Sequence, residues 1–233
     1  MLSYTEENYL KALLQIQLLQ ANKLGVGTNE LATHLAVKPA TANDMLKKLK
    51  EKKLVTYEKY GKITLTKPAK KLATDILRKH RLWETFLYKK LDFTWDEVHE
   101  VAEQLEHIQS QKLIDKLDKY LHYPEYDPHG DIIPTANGEF KTTYKRTLAN
   151  VQTNESCKMV AVKDNTVSFL QYVVKMGLGI NNYITVLGTN NYDGMVDISV
   201  NGKPNTVSQR FAQNIYVVCE KCELGKKCPK GQC

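Results

Sequence analysis

No stretch of this 233-residue chain approaches the roughly 18 consecutive apolar residues of a membrane helix. The opening MLSYTEENYL also lacks the basic start and apolar run of a secretory leader. A cytoplasmic protein that does not enter membranes is the expectation. Arginine is missing from residues 1–70, where twelve lysines stand against six carboxylates for a local charge of +6. Cysteine is scarce: of five, one is Cys157 and four crowd the last fifteen residues. The rest of the chain therefore has almost no thiolate, which argues against a sulfur-ligated zinc or copper site in its helices. There is also no phosphate-binding loop or nucleophile motif beside the acidic and histidine residues discussed below, so an enzyme reading lacks support.

What is present is an ordinary globular balance, 42% hydrophobic and 25% charged, with length for one large or two ordinary domains. The net charge of +7 is uneven. Residues 71–122 sum to −1, residues 123–218 to zero and the last fifteen to +2. A basic N-terminal third on a near-neutral remainder is the footprint of a nucleic-acid binder.

The pattern agrees with the charge. A helix is predicted from Thr5, as N-cap, to about Gln20, with Tyr9, Leu10, Leu13, Leu14, Ile16 and Leu18 on its apolar face. TNELATHL, capped by Thr28, and ATANDMLKKLKEKKL, opened by Pro39, are two further helices joined by the turn AVKP. That is a helix-turn-helix, and LVTYEKYGKITLT reads as the β-hairpin wing after it. The segment Lys38, Pro39, Ala40, Thr41 and Asn43 would enter the major groove of double-stranded DNA. Lys38, Thr41 and Asn43 would read base edges, while Lys47, Lys48 and Tyr57 would hold the backbone.

A long helix from Pro68 carries His80 and Glu84, and WDEVHEVAEQLEHI is expected to be one helix carrying His99, Glu103, Glu106 and His107 on one side. Their neighbours Leu72, Ile76, Trp83, Leu87, Val98, Ala102 and Leu105 are apolar. Carboxylates and imidazoles in that setting need neutralising, which a divalent cation does. An oxygen-rich, imidazole-containing set suits Mn(II) or Fe(II). Ser110 caps a further helix, SQKLIDKLDKYL. Residues 125–155 read as loop and linker, and from residue 156 short β segments around one helix, TVSFLQYVVKMGL, suggest a small barrel.

This order of elements, with RKHRLWETFL and VHEVAEQLEHI, resembles the DtxR/MntR family of metal-dependent transcriptional repressors, and the final barrel resembles the SH3-like, FeoA-type domain of its longer members. The resemblance covers residues 3–218. It implies a mainly α N-terminal half, with a winged helix-turn-helix over 1–70 and a helical dimerisation and metal domain over 71–124, followed by a small all-β SH3-like barrel over 156–218. It also implies a homodimer that binds a palindromic operator when metal-loaded and controls metal-uptake genes. The ligands it assigns are His80, Glu103, Glu106 and His107, with a first-helix ligand at the position of Asn8, where family members have Met or Asp, or from Glu7 beside it. Glu103 stands where iron-type members have Cys and manganese-type members Glu, which favours Mn(II) over Fe(II). A second site would join Glu84, Asp127, His129 and Asp164, with His99 one turn before Glu103. Asp127-Pro128-His129-Gly130 stands in for the family's Cys-Pro-His-Gly.

The tail 219–233 has no counterpart in that resemblance. Cys219, Cys222, Cys228 and Cys233 are spaced to hold Zn(II) or an iron–sulfur cluster. Two rival readings stay open from sequence: a mononuclear Mn/Fe metalloenzyme, and a helix-turn-helix regulator answering a non-metal signal or the cysteine tail.

Overall fold

The computed structural model describes residues 2–19, 25–57, 61–140, 145–190 and 192–219. The chain divides into two compact units. One comprises residues 1–80, 103–114 and 134–139; the other comprises 81–102, 115–133 and 140–233.

In the first unit, α1 (Tyr4–Leu19) begins two residues earlier than a cap at Thr5 would allow. Ser3 is the cap: its Oγ accepts from the Glu6 amide at 3.3 Å, while the Glu6 carboxylate accepts from the Ser3 amide at 2.9 Å. This reciprocal pair satisfies two amides that the first helical turn leaves open. Tyr9, Leu10, Leu13, Leu14 and Ile16 are buried, whereas Leu18 is exposed. α2 (Thr28–His34) is preceded by Gly27, whose amide donates to the Glu30 carboxylate, so Thr28 is the first helical residue rather than the cap. α3 (Pro39–Glu51) buries Ala42, Leu46 and Leu49 and leaves its lysines in solvent. β1 (Val55–Tyr57) and β2 (Ile63–Leu65) pair antiparallel as the wing. Val26 bridges to Ile63 at the wing's base, and Gly25, at φ +121°, sits where a Cβ would come within 2.8 Å of the Ile63 carbonyl oxygen. Only glycine suits that approach.

α4 (Lys67–Lys90) is the long helix. Leu72, expected to be inward, is 40% exposed, whereas Ile76, Trp83 and Leu87 are buried. α5 (Val98–Leu105) is shorter than expected, stopping before Glu106, and α6 (Gln111–Tyr120) follows Ser110, whose Oγ accepts from the Leu113 amide at 3.4 Å. No helix among the described residues is long and apolar enough to cross a membrane.

The second unit holds a six-stranded antiparallel sheet in the order β3-β8-β4-β5-β6-β7. Its strands are β3 (Arg146–Thr147), β4 (Ser156–Val162), β5 (Tyr183–Thr189), β6 (Val196–Val200), β7 (Lys203–Val207) and β8 (Ile215–Cys219). α7 (Val167–Lys175) and a short α8 (Gln209–Gln213) pack on it, with Leu170, Val173 and Phe211 in one core with Met159, Ile198 and Val217. The stretch read as linker thus contains β3 and a 3₁₀ turn over Leu148–Asn150, in which Leu148 is fully buried.

Cys157 lies in this core, on β4, donating to the Ile184 carbonyl at 3.4 Å. Burial pushes its thiol up from an ordinary 9.0 to about 12. Because the folded value is the raised one, the associated stability is complete below pH 9 and is lost as pH climbs toward 12. The folded protein at pH 8 should therefore leave Cys157 unalkylated by iodoacetamide, while the guanidinium-unfolded chain reacts fully. Peptide mass spectrometry reads this out, and equal labelling in the two states would contradict the burial.

Candidate metal centre

In the first unit, three elements converge on one buried polar cluster. α1 contributes Glu7 and Lys11, four residues apart and so on one helix face, with Asn8 next to Glu7. α4 contributes His80. Glu103 comes from the last turn of α5, and Glu106 and His107 come from the turn after it. Neighbouring residues on a helix diverge by about 100°, so a continued helix could not aim both Glu106 and His107 at one point. Ending α5 at Leu105 removes that limit.

His80 Nδ1 lies 2.6 Å from Glu106 Oε2, and His107 Nδ1 lies 2.6 Å from Glu7 Oε2. His107 Nε2 is 3.9 Å from Glu106 Oε1. The Lys11 ammonium reaches Glu106 at 2.8 Å and Glu103 at 3.4 Å. Tyr4 stacks on the His107 ring at 4.4 Å, and Gln109 Nε2 donates to Glu7 at 3.2 Å. Glu106 is fully buried, whereas the Glu103 side chain is 45% exposed. Burial pushes the Glu106 carboxyl up, but the His80 hydrogen bond and the charges of His80 and Lys11 outweigh it and hold the group below the usual carboxylate range. Glu106 is therefore ionised at neutral pH.

These donors suit a hard dication. They comprise two imidazoles and three carboxylates, with no sulfur. Asn8 Oδ1 is buried without a hydrogen-bond partner, an uncommon and costly state for an amide oxygen.

The second unit also carries a cluster. Glu84, Asp127 and His129 are all buried, each with a ligand atom within 4.8 Å of the others. His99 Nδ1 lies 3.1 Å from Glu84 Oε1 and His129 Nδ1 3.8 Å from it. His129 Nε2 donates a hydrogen bond to the Trp95 carbonyl at 3.0 Å, which leaves Nδ1 as the ring's lone-pair nitrogen. Nδ1 is buried with no hydrogen-bond partner. Asp127 Oδ1 accepts from the amides of His129 (2.8 Å) and Asp131 (3.0 Å), and Arg81 Nε lies 3.5 Å from Oδ2. Burial and then the Glu84 charge push the Asp127 carboxyl up to about 7. Asp164, expected to complete this group, does not join it. Its Oδ1 accepts from the Thr166 amide at 2.9 Å, closing the turn before α7.

At the other end of the first unit, Lys38, Pro39, Ala40, Thr41, Asn43, Lys47 and Lys48 are all exposed at and beyond the start of α3. Lys47 makes only a solvent-exposed pair with Asp44 at 3.1 Å. Tyr57 is 38% exposed, and the Lys50 ammonium stands 4.9 Å from its ring centre. Lys52 bonds Glu6 at 2.6 Å and ties α3 to α1. Of the tail cysteines, Cys219 closes β8, opposite Cys157 on β4. Cys222, Cys228 and Cys233 lie outside the described residues.

Sequence reasoning passed over Lys11, Lys50, Lys52, Arg81 and Asp131. Lys11 had a visible signal: it falls on the apolar face of α1 between Leu10 and Leu14, one turn from Glu7. A cation placed in a core stripe calls for a buried anion.

Residues 1–63 match the iron dependent repressor N-terminal DNA binding domain, residues 66–135 the iron dependent repressor metal binding and dimerisation domain, and residues 146–219 the FeoA domain. The HTH-type transcriptional regulator MntR of Lysinibacillus sphaericus is 32% identical over 114 residues, which is 49% of this chain and 81% of the relative. A solved structure described as a manganese-dependent transcriptional repressor complex with manganese superposes with a TM-score of 0.82 at 32% identity, covering 92% of this chain and 99% of that one. A probable metal transport system membrane protein of Chlamydia trachomatis is 45% identical over 62 residues, 27% of this chain. The chain spans only 14% of that relative's length.

Proposed function

Since the chain belongs to the iron dependent repressor family, we propose that it is a cytoplasmic, homodimeric transcriptional repressor that binds its operator when loaded with Mn(II), or with Fe(II) in second place, and so controls metal-uptake genes. The observation that carries this reading is the buried cluster of His80, Glu106, His107 and Glu7, which joins α1 of the DNA-reading half to α4 and the turn after α5. The ligands are His80, Glu103, Glu106 and His107, with Glu7 or the amide oxygen of Asn8 from α1. When bound, the ion supplies two positive charges to carboxylates that burial would otherwise penalise. Because α1 and the post-α5 turn both hold ligands, occupancy fixes α1, and through the Glu6–Lys52 bond α3, in the arrangement that reads DNA.

In a two-fold dimer the two copies of α3 are set about 34 Å apart, one turn of a palindromic operator. Thr41, Asn43 and Lys38, on the exposed start of α3, face base edges, with Pro39 and Ala40 against the groove. Lys47, Lys48 and Tyr57 hold phosphates. Mn(II) is placed ahead of Fe(II) because Glu103 offers a hard carboxylate and the set has no sulfur, which excludes a thiolate-type site. Glu84, Asp127 and His129, with His99 beside Glu84, form a second cation site in the other unit, for which the unpartnered His129 Nδ1 is the support. The tail cysteines hold Zn(II) or an iron–sulfur cluster on the strength of their spacing alone.

The test is anisotropy titration of an operator selected from a random duplex pool, under anaerobic, reducing conditions. Mn(II) and Fe(II) are expected to tighten binding by about a hundredfold or more over the chelated protein, about 3 kcal/mol of coupling. Equal affinity after exhaustive chelation would end the proposal and return the chain to a regulator of another signal.

A further inference from the structure

Metal sensing by the ligands named above leaves one residue of the cluster without a role. The Lys11 side chain is 5% exposed, and its ammonium lies 2.8 Å from the Glu106 carboxylate and 3.4 Å from that of Glu103. Lysine is almost never so buried unless paired, and here it is paired with two of the carboxylates assigned to the ion. An ammonium has three donors and no acceptor, so Lys11 offers an ion no ligand atom. It acts on the site only as a positive charge. α1 thus places an anion at Glu7 and a cation at Lys11 in the cluster, with the neutral Asn8 next to Glu7 in the chain.

We propose that Lys11 is a built-in competitor of the metal. Its ammonium neutralises Glu103 and Glu106 in the metal-free chain, and an ion gains those carboxylates only against that charge. Lys11 therefore sets the metal concentration at which the site fills. The inference rests on the ligand assignment made above. Its physical basis is that one carboxylate cannot serve a dication and a nearby ammonium without repulsion between them. Across a few ångströms, even at an effective dielectric constant of about 20, that repulsion is worth more than about tenfold in affinity. Lys11 has a second effect: by bonding α1 to the turn after α5, it makes the same cross-element link that an α1 ligand makes through an ion. The metal-free chain is thereby kept folded around a site it has yet to fill.

Lys11→Met keeps the length of the stem and removes the charge. Competition against a fluorescent chelator should show it binding Mn(II) at least about tenfold more tightly than wild type, while Lys11→Arg, which keeps the charge, stays within about threefold. If Lys11→Met binds Mn(II) no tighter than wild type, the competitor role is wrong although the ligand assignment stands. If wild type takes up no Mn(II) at all, the ligand assignment itself fails and this inference fails with it. Should Lys11→Met not fold without metal, the wild-type protein gives the answer by acylation with an N-hydroxysuccinimide ester of acetate. Lys11 should be protected without metal and labelled once Mn(II) saturates the site, and equal protection in both conditions overturns the proposal.

Discussion

Glu106→Gln is expected to abolish the metal response, so that operator binding with saturating Mn(II) equals operator binding in chelator, against a gain of about a hundredfold in wild type. The side chain is fully buried and is the point where the cluster meets: His80 at 2.6 Å, Lys11 at 2.8 Å and His107 Nε2 at 3.9 Å. Glutamine preserves the shape but removes the negative charge, leaving Lys11 with only the half-exposed Glu103 as its counter-ion. Breaking a buried pair from one side costs about 3 kcal/mol, so a urea melt of the metal-free variant should show a loss of that order while size exclusion still gives a folded dimer. A variant that keeps the full Mn(II) response would remove Glu106 from the ligand set.

Gly130→Ala should be the most damaging single methyl group in the second unit. Gly130 has φ +82°, and a Cβ there would overlap the Val160 carbonyl oxygen and lie 2.7 Å from Ala161 Cα, both in the backbone of β4. The loop cannot back away easily. Asp127 grips it through the amides of His129 and Asp131, the Gly130 amide donates to the Asp127 carbonyl at 3.1 Å, and Tyr126 bridges to Ile132. Left-handed strain and overlap together are expected to cost more than about 3 kcal/mol and to move His129 off Glu84. Denaturant unfolding measures the first effect, and the stoichiometry of bound Mn(II), falling from two sites to one, measures the second. A loss below about 1 kcal/mol would show that the loop has room the geometry denies it.

Much of this was written plainly in the residues. Periodic apolar positions placed α1, α3 and α4, and Pro39 marked the start of the reading helix. The acidic and imidazole residues His80, Glu106, His107 and Glu7 do come together. What escaped notice has physical reasons. The end of α5 was hidden because Glu106 and His107 continue an acceptable helical composition, and only their long-range partners draw them off the helix. β7 escaped because Lys203-Pro204-Asn205 lacks apolar alternation. It is an edge strand, where proline is tolerated, and the Asn201-Gly202 turn before it, with both residues at positive φ, was the available clue. β3 is two residues long and takes its existence from pairing with β8, which no local pattern foretells. Asp164 fitted a motif by position, yet two residues later an amide claimed its oxygen, as aspartate does before many helices.

β8 runs in the interior of the sheet, hydrogen-bonded to β3 on one side and β4 on the other, and its final residue is Cys219. The four-cysteine extension is therefore rooted in an inner strand, next to the hem of the fabric and not at it. Tension applied at that root, by whatever seizes the thiols, would reach β4 first, through the pairing of Cys219 with Cys157, and β3 only at Val217.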